Sequence, residues 1–210
     1  MMAKWFTGLM IWLFMLLAMP VISGEGYVAN PKENVFILGG DIGMSYQDYT
    51  ELKTRLANAI SGEEIFIRLY MNRGGVSAVG EDLREAIMSS RATVITEARI
   101  QASSAALDIL FAGDRVILLK VPFKGQRSAI AVAHLSFIPG PNWEHIRTPG
   151  MIASDIESMQ YYRHFLTDDE WSRVKAGEDV WLQAADLCRQ SRFKIVDTKS
   201  YCIIRGVNGK

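Results

Sequence analysis

The sequence contains few of the side chains that bind metal ions. Three histidines and two cysteines are spread over 210 residues. No CxxC or HExxH spacing brings several ligands together, and such spacing is what zinc sites need. We therefore expect neither a metal site nor a bound cofactor.

The sequence also lacks net charge. Lysine plus arginine and aspartate plus glutamate both number 23. A neutral chain has no positive field with which to hold phosphate backbones, so we expect no nucleic-acid partner. Internal repeats and low-complexity tracts are absent as well, and the length suits one well-buried domain.

The first 24 residues differ from the rest. Lys4 is the only charge before Glu25, and residues 5–22 form an apolar block of about the length that crosses a bilayer. Small residues at its end are typical of a secretory signal. Residues 1–24 are therefore predicted to be a signal peptide, and residues 25–210 a domain exported to the periplasm or cell envelope. An uncleaved membrane anchor is the alternative, because the block is long for a signal.

The only two cysteines, Cys188 and Cys202, both follow this segment. Outside the cytoplasm thiols oxidise readily. We therefore predict that the two cysteines form a disulfide.

Short apolar runs alternate with segments of helical periodicity through the first two thirds of the domain. Predicted strands cover residues 35–38, 65–70, 93–96 and 115–119, and predicted helices cover residues 46–60, 79–87 and 104–112. Gly39 and Gly40 are expected to end the first strand, and Ser45 to cap the first helix. This alternation indicates an α/β domain.

The last third is expected to be mostly helical. Two capping-box patterns, Ser154 with Glu157 and Thr167 with Glu170, each predict the start of a helix. The segment 201–206 (YCIIRG) predicts a final strand.

Three motifs in this order carry a resemblance to a known family. Gly74 and Gly75 follow the second strand, QASSAA at 101–106 opens the apolar helix, and His134 ends the run AIAVAH. Over residues 35–137 the chain resembles the proteolytic subunit of Clp protease and its crotonase-fold relatives. The resemblance implies a fold of repeated strand-strand-helix units with a helical C-terminal region.

The resemblance also implies a hydrolytic site. Ser104 matches the nucleophile and His134 the base, while the backbone N–H groups of Gly74 and Ala105 would form the oxyanion hole. The chemistry suits these residue types, because a serine hydroxyl needs a base, and a helix N-terminus stabilises developing negative charge. Asp108 is unexpected, since it places a charge inside the helix that follows the serine.

Several positions of the implied site have alternatives. Asp155 is the predicted third member by its order along the chain, with Glu157 and Asp179 in reserve. Ser103 stands directly beside Ser104 and could take its place. In a related class of peptidases a lysine replaces the histidine as base, and the lysines available for that role are Lys120 and Lys124.

The resemblance thus predicts an exported serine-type endopeptidase. Its substrates would be peptides or unfolded proteins, it would assemble as a homo-oligomer, and it would touch the membrane only through an uncleaved N-terminal segment. An inactive assembly or binding module of the cell envelope is the alternative. An acyl-CoA enzyme of the crotonase type is disfavoured by export, because its thioester cofactor is cytoplasmic.

Overall fold

The computed structural model describes residues 27–30, 33–43, 49–120, 129–139, 141 and 144–209. The predicted signal peptide, the predicted cap Ser45 and the candidate base Lys124 lie outside these residues. Within the described part of the chain, no helix is both long and apolar enough to cross a membrane.

Between residues 35 and 119 strands and helices alternate as the sequence predicts, except for one additional two-residue strand before the third helix. The strands are β1 (Tyr27–Asn30), β2 (Val35–Ile42), β3 (Glu64–Gly75), β4 (Thr93–Ala98), β5 (Ala102–Ser103), β6 (Arg115–Leu119), β7 (Ala129–Ala133), β8 (Ile138–Pro139), β9 (His145–Ile146), β10 (Val180–Gln183), β11 (Lys194–Asp197) and β12 (Tyr201–Arg205). The helices are α1 (Thr50–Asn58), α2 (Ser77–Ser89), α3 (Ala105–Ala112), α4 (Pro149–Met159), a 3₁₀ turn (Gln160–Phe165), α5 (Asp168–Lys175) and α6 (Ala184–Gln190).

One large mixed sheet organises the domain around the long strand β3. The strand order is β10-β7-β5-β3-β4-β6-β12-β11, and β2 also pairs with β3. The central pairs are parallel, whereas β10, β11 and β12 add to the two ends in antiparallel orientation. Since β3 pairs with β4 along its first half and with β5 at Asn72, it links the two halves of the sheet.

The glycine pair of β2 does not end that strand, so this sequence-based expectation is wrong. Gly39 and Gly40 stay paired with β3, and β2 continues to Ile42 opposite Gly75. The register shifts on both sides of Gly40, whose φ of 69° favours glycine. The glycines therefore make a bulge that lets β2 follow the full length of β3.

Helix α3 is the buried centre of the fold. All eight of its residues are buried, which fits a helix that is apolar on nearly every side. Helix α2 packs so closely against the first turn of α3 that a methyl group placed on Gly80 would lie 2.9 Å from the Ala105 Cβ. A residue larger than glycine at position 80 would push the two helices apart.

The predicted first helix is shorter than its periodicity suggests. Tyr49, Leu52 and Leu56 are buried as expected, but α1 ends at Asn58. Ile60 lies beyond this end and is 58% exposed, so its predicted place on the buried face is wrong.

The two capping-box predictions have opposite outcomes. Thr167 and Glu170 form a complete capping box at the start of α5, as predicted. Ser154, by contrast, lies inside α4, which begins earlier: Thr148 caps it by accepting the Met151 N–H, and Pro149 takes the first turn. The predicted helix start at Ser154 is therefore wrong.

Cys188 of α6 and Cys202 of β12 are joined by a disulfide in this structure, with their Cα atoms 6.1 Å apart. Both side chains are buried, so the bond ties α6 to the sheet within the core. Whether these thiols are oxidised in the purified protein stays a prediction.

We expect replacement of both cysteines by alanine to lower the free energy of unfolding by about 3 kcal/mol, because the bond closes a short loop in the unfolded chain. Urea denaturation of the two proteins measures the difference. Thiol titration of the denatured, unreduced wild type should find no free thiol, and two reactive thiols would contradict the prediction.

Candidate active site

The candidate residues lie at the same end of four neighbouring strands, β3, β5, β7 and β10. Asn72 of β3 pairs with Ala102 of β5, and Ser103 pairs with Val132 of β7. On the other side of β7, Val180 of the antiparallel β10 pairs with Ala133. Gly74 near the end of β3, Ser104 and His134 just after β5 and β7, and Asp179 just before β10 therefore lie at the same end of these strands.

Ser104 occupies a strained turn between β5 and α3. Its φ of 52° and ψ of −127° are unfavourable for a residue with a side chain. Two backbone hydrogen bonds hold it there: its N–H donates to Val132 O at 3.1 Å, and its carbonyl accepts from the Leu107 N–H at 2.8 Å. In α/β-hydrolases, a strained serine between a strand and a helix is the arrangement that exposes a nucleophilic hydroxyl.

Gly74 lies directly against this turn. A methyl group placed on Gly74 would lie 2.6 Å from Ser104 Cβ and 3.2 Å from the Ala105 nitrogen. With its φ of 94°, this position favours glycine on steric and on conformational grounds.

The two predicted oxyanion-hole residues are thus neighbours, but the N–H of Gly74 already has an acceptor. It donates to the buried Asn72 Oδ1 at 3.0 Å. The oxyanion hole of Gly74 and Ala105 stays a prediction.

The structure distinguishes the two adjacent serines. Ser103 is buried in β5, and its hydroxyl accepts a hydrogen bond from Gln101 Nε2 at 2.7 Å. Ser104 instead lines a surface cavity together with His134. This placement favours Ser104 over Ser103 as the candidate nucleophile.

His134 is a mostly buried imidazole at the end of β7. Burial lowers its pKa below the usual value, and the nearby Asp179 carboxylate offsets part of that shift. Neither ring nitrogen has a hydrogen-bond partner among the described residues. The imidazole is therefore largely neutral at pH 7, as a general base must be.

Among the described residues, the carboxylate nearest to His134 belongs to Asp179, one of the two alternatives to the predicted Asp155. Asp179 Oδ1 lies 3.4 Å from His134 Nδ1, without hydrogen-bond geometry, and the two groups form an ion pair only when the imidazole is protonated. The pairing of β10 with β7 creates this proximity. No local motif could indicate it, because the two strands are far apart in the sequence.

Asp155, the predicted third member, lines the same cavity but has other partners. Its two carboxylate oxygens accept hydrogen bonds from the Ser136 N–H at 2.6 Å and the Ser136 hydroxyl at 2.9 Å. These bonds fix the segment that follows His134. A direct role for Asp155 in orienting the histidine stays a prediction, and the geometry favours Asp179. The other alternative, Glu157, is exposed and does not line the cavity.

Lys120, one of the two candidate lysine bases, lies at another part of the sheet. Its ammonium group contacts Asp197 and donates to the Thr198 carbonyl at 3.0 Å. It does not line the cavity at Ser104.

The cavity beside Ser104 is rich in carboxyl groups. Its lining residues are Ser77, Glu81, Ser104, Ala105, Asp108, His134, Ser136, Asp155, Ser158, Met159 and Tyr162. Within the described ranges, no three histidine, cysteine, aspartate or glutamate side chains converge as the ligands of a metal ion would.

Asp108 is the most deeply buried of these acids. Burial raises the pKa of its carboxyl group to about 7, although the hydrogen bond from Tyr161 and the charge of Arg84 oppose the shift. The Tyr161 hydroxyl donates to Asp108 Oδ1 at 3.0 Å. A carboxyl group that changes charge near neutral pH thus lies in the same cavity as Ser104 and His134.

We expect this group to make the protein less stable as the pH rises. Between about pH 4 and 7 the folded protein keeps the Asp108 proton that the unfolded chain has released, so the free energy of unfolding falls across this window by up to about 4 kcal/mol. Asp108→Asn, which can still accept from Tyr161, should flatten that part of the pH profile. Denaturant titrations from pH 4 to 8 measure the effect.

Asp169→Asn, at an exposed position of α5, serves as the control and should retain the wild-type slope. Equal slopes for the wild type and Asp108→Asn would contradict the prediction.

Comparison with known proteins gives similarity at the level of structure. No protein-family model and no curated protein sequence matches the chain. ClpP1 from Listeria monocytogenes is similar with a TM-score of 0.51 and 15% identity, covering 76% of this chain and 88% of that chain. A point mutant of ClpP1 from the same bacterium gives the same TM-score and coverage at 14% identity. The predicted fold class is confirmed: the chain has an α/β, ClpP-like fold.

Proposed function

We propose that this protein is a serine hydrolase of peptide bonds, with Ser104 as nucleophile, His134 as base and Asp179 as the group that orients the histidine. The observation that carries the proposal is the order of four neighbouring strands. In that order β3, β5, β7 and β10 bring Gly74, the strained Ser104, His134 and Asp179 to the same end of the sheet.

Each group has a defined part in the proposed reaction. The Ser104 hydroxyl attacks the substrate carbonyl while His134 accepts its proton. The tetrahedral intermediate then collapses, the peptide C–N bond breaks, and the departing amine takes the proton from His134. Water, deprotonated by the same histidine, hydrolyses the acyl ester and restores Ser104. Since Asp179 faces Nδ1, Nε2 is the nitrogen left for these transfers.

The oxyanion in this scheme would be held by the N–H groups of Gly74 and Ala105. Ala105 is the first residue of α3, where backbone N–H groups have no acceptor within the helix. Gly74 must exchange its bond to Asn72 Oδ1 for one to the substrate. This exchange is a cost of binding that a preformed oxyanion hole would avoid.

The hydrogen bond from the Gly74 N–H to Asn72 Oδ1 also supports a second candidate function, an inactive binding or assembly module of the cell envelope. With its Gly74 N–H occupied, the cavity could hold a peptide without stabilising an oxyanion. Catalysis alone separates the two candidates, since both use the same cavity.

Several other parts of the proposal rest on the sequence alone. Export to the periplasm or cell envelope rests on residues 1–24. Outside the cytoplasm no ATP-driven unfoldase is expected, so short or unfolded peptides are the proposed substrates. Self-association into a homo-oligomer is part of the proposal and rests on the resemblance.

Replacement of the proposed residues should separate their roles. We expect Ser104→Ala and His134→Ala each to reduce kcat/KM for peptide hydrolysis to background, because members of such a unit act together. Asp179→Asn should lower kcat about 100-fold or more with little change in KM, because it leaves the histidine wrongly oriented. Initial rates on a mixed library of fluorogenic peptides measure these effects.

Asp155→Asn is the matched comparison, since it removes a carboxylate of the same cavity that bonds Ser136. Its effect on kcat should be smaller than that of Asp179→Asn. The reverse order would return the orienting role to Asp155, and a wild type that cleaves no peptide would leave the binding module as the function.

A further inference from the structure

Asn72 is a buried polar residue at the point where β3 meets β5. It has no exposed surface, and its backbone N–H donates to the Gln101 carbonyl at 2.8 Å. Its Oδ1 accepts the Gly74 N–H, but its Nδ2 is buried and has no hydrogen-bond partner among the described residues. An unpaired buried donor destabilises a folded protein, and departures of this kind are expected at functional sites.

The side chain of Asn72 and the oxyanion of the proposed reaction compete for the same hydrogen. A backbone N–H has one hydrogen to donate, and that of Gly74 is bonded to Oδ1 at an N···O distance of 3.0 Å. The tetrahedral intermediate needs this N–H for its negative oxygen. Breaking the bond to Asn72 is therefore part of the barrier to the proposed reaction.

The packing around Gly74 leaves the Asn72 side chain as the part that must move. A methyl group placed on Gly74 would lie 2.6 Å from Ser104 Cβ, so this backbone is pressed against the serine turn. On β2, Asp41 pairs with Gly74 and accepts two hydrogen bonds from Arg73, both at 3.0 Å. Because the backbone is held from two directions, rotation of the Asn72 amide is the change that releases the N–H.

We propose that Asn72 is a positioning residue that keeps the oxyanion hole closed in the resting protein and opens it when its side chain turns away from Gly74. The proposal rests on the proposed peptidase function and adds a control on its rate. Asn72 is fully buried and does not line the cavity at Ser104, so it acts through the Gly74 N–H and not on the substrate. Removal of the acceptor should speed the reaction, whereas loss of a merely structural side chain does not.

Asn72→Leu tests the proposal, because leucine has a similar branched shape and no acceptor. The substitution also removes the unpaired donor, so the variant should fold. We expect its kcat/KM for hydrolysis of fluorogenic peptides to exceed that of the wild type about fivefold, the factor that one net hydrogen bond contributes. The gain should lie in kcat with little change in KM, because oxyanion donors act in the transition state. Asn72→Ala removes the same acceptor with a smaller side chain and should also be faster.

Two further variants separate the acceptor from the other properties of the side chain. Asn72→Asp keeps an acceptor in a side chain of the same shape and should show no gain. Thr96→Val is the matched control on β4. It also replaces a buried polar side chain by an apolar one of the same shape, and it removes the hydrogen bond from the Thr96 hydroxyl to the Leu110 carbonyl at 2.6 Å. This variant should keep the wild-type rate.

The outcomes distinguish this role of Asn72 from the peptidase function itself. A wild type that cleaves peptides, with folded Asn72→Leu and Asn72→Ala variants that are no faster, would overturn the role and leave the peptidase function standing. An equal gain in Asn72→Asp or Thr96→Val would also overturn it. Absence of cleavage by the wild type and by every Asn72 variant would refute the peptidase function and this role with it. Cleavage by the Asn72→Leu protein and not by the wild type would support both.

Discussion

The candidate site depends on the close packing of two glycines, Gly74 and Gly80, against the first turn of α3. Gly74 of β3 lies against Ser104, and Gly80 of α2 lies against Ala105. Because α3 is buried over its whole length, its first turn cannot move away to make room for a larger residue. Packing of the core thus holds Ser104 in a conformation that a free chain would leave.

The rest of the site follows from strand order and from burial. The neighbours of β5 fix which side chains surround Ser104: His134 comes from β7, and Asp179 from the start of β10. Burial then acts in opposite directions on two titratable groups. It keeps the His134 imidazole neutral, as a base requires, and it holds the Asp108 carboxyl group close to its ionisation point at neutral pH. One cavity therefore combines a candidate catalytic pair with a carboxyl group that titrates near neutral pH.

Features set by neighbouring residues could be predicted from the sequence, and features set by distant pairing could not. The capping box of Thr167 and Glu170 needs only three residues of separation, and it forms as predicted. The Ser154 pattern fails because Pro149 permits an earlier helix start. The order of the motifs along the chain predicted that Ser104 and His134 would lie close together, and both line one cavity. It could not show that Asp179 would approach His134, because that contact requires β10 to turn back antiparallel along β7.

Labelling with a serine-directed phosphonate tests whether Gly74 holds Ser104 as a reactive nucleophile. Gly74→Ala and Gly62→Ala form a matched pair: φ is 94° at Gly74 and 93° at Gly62, but an added methyl group meets Ser104 at Gly74 and nothing within 4 Å at Gly62. We expect the label to map to Ser104 in the wild type and in Gly62→Ala, and folded Gly74→Ala to remain unlabelled. A label on Ser103 or another serine, or equal labelling of the two variants, would contradict this role of Gly74.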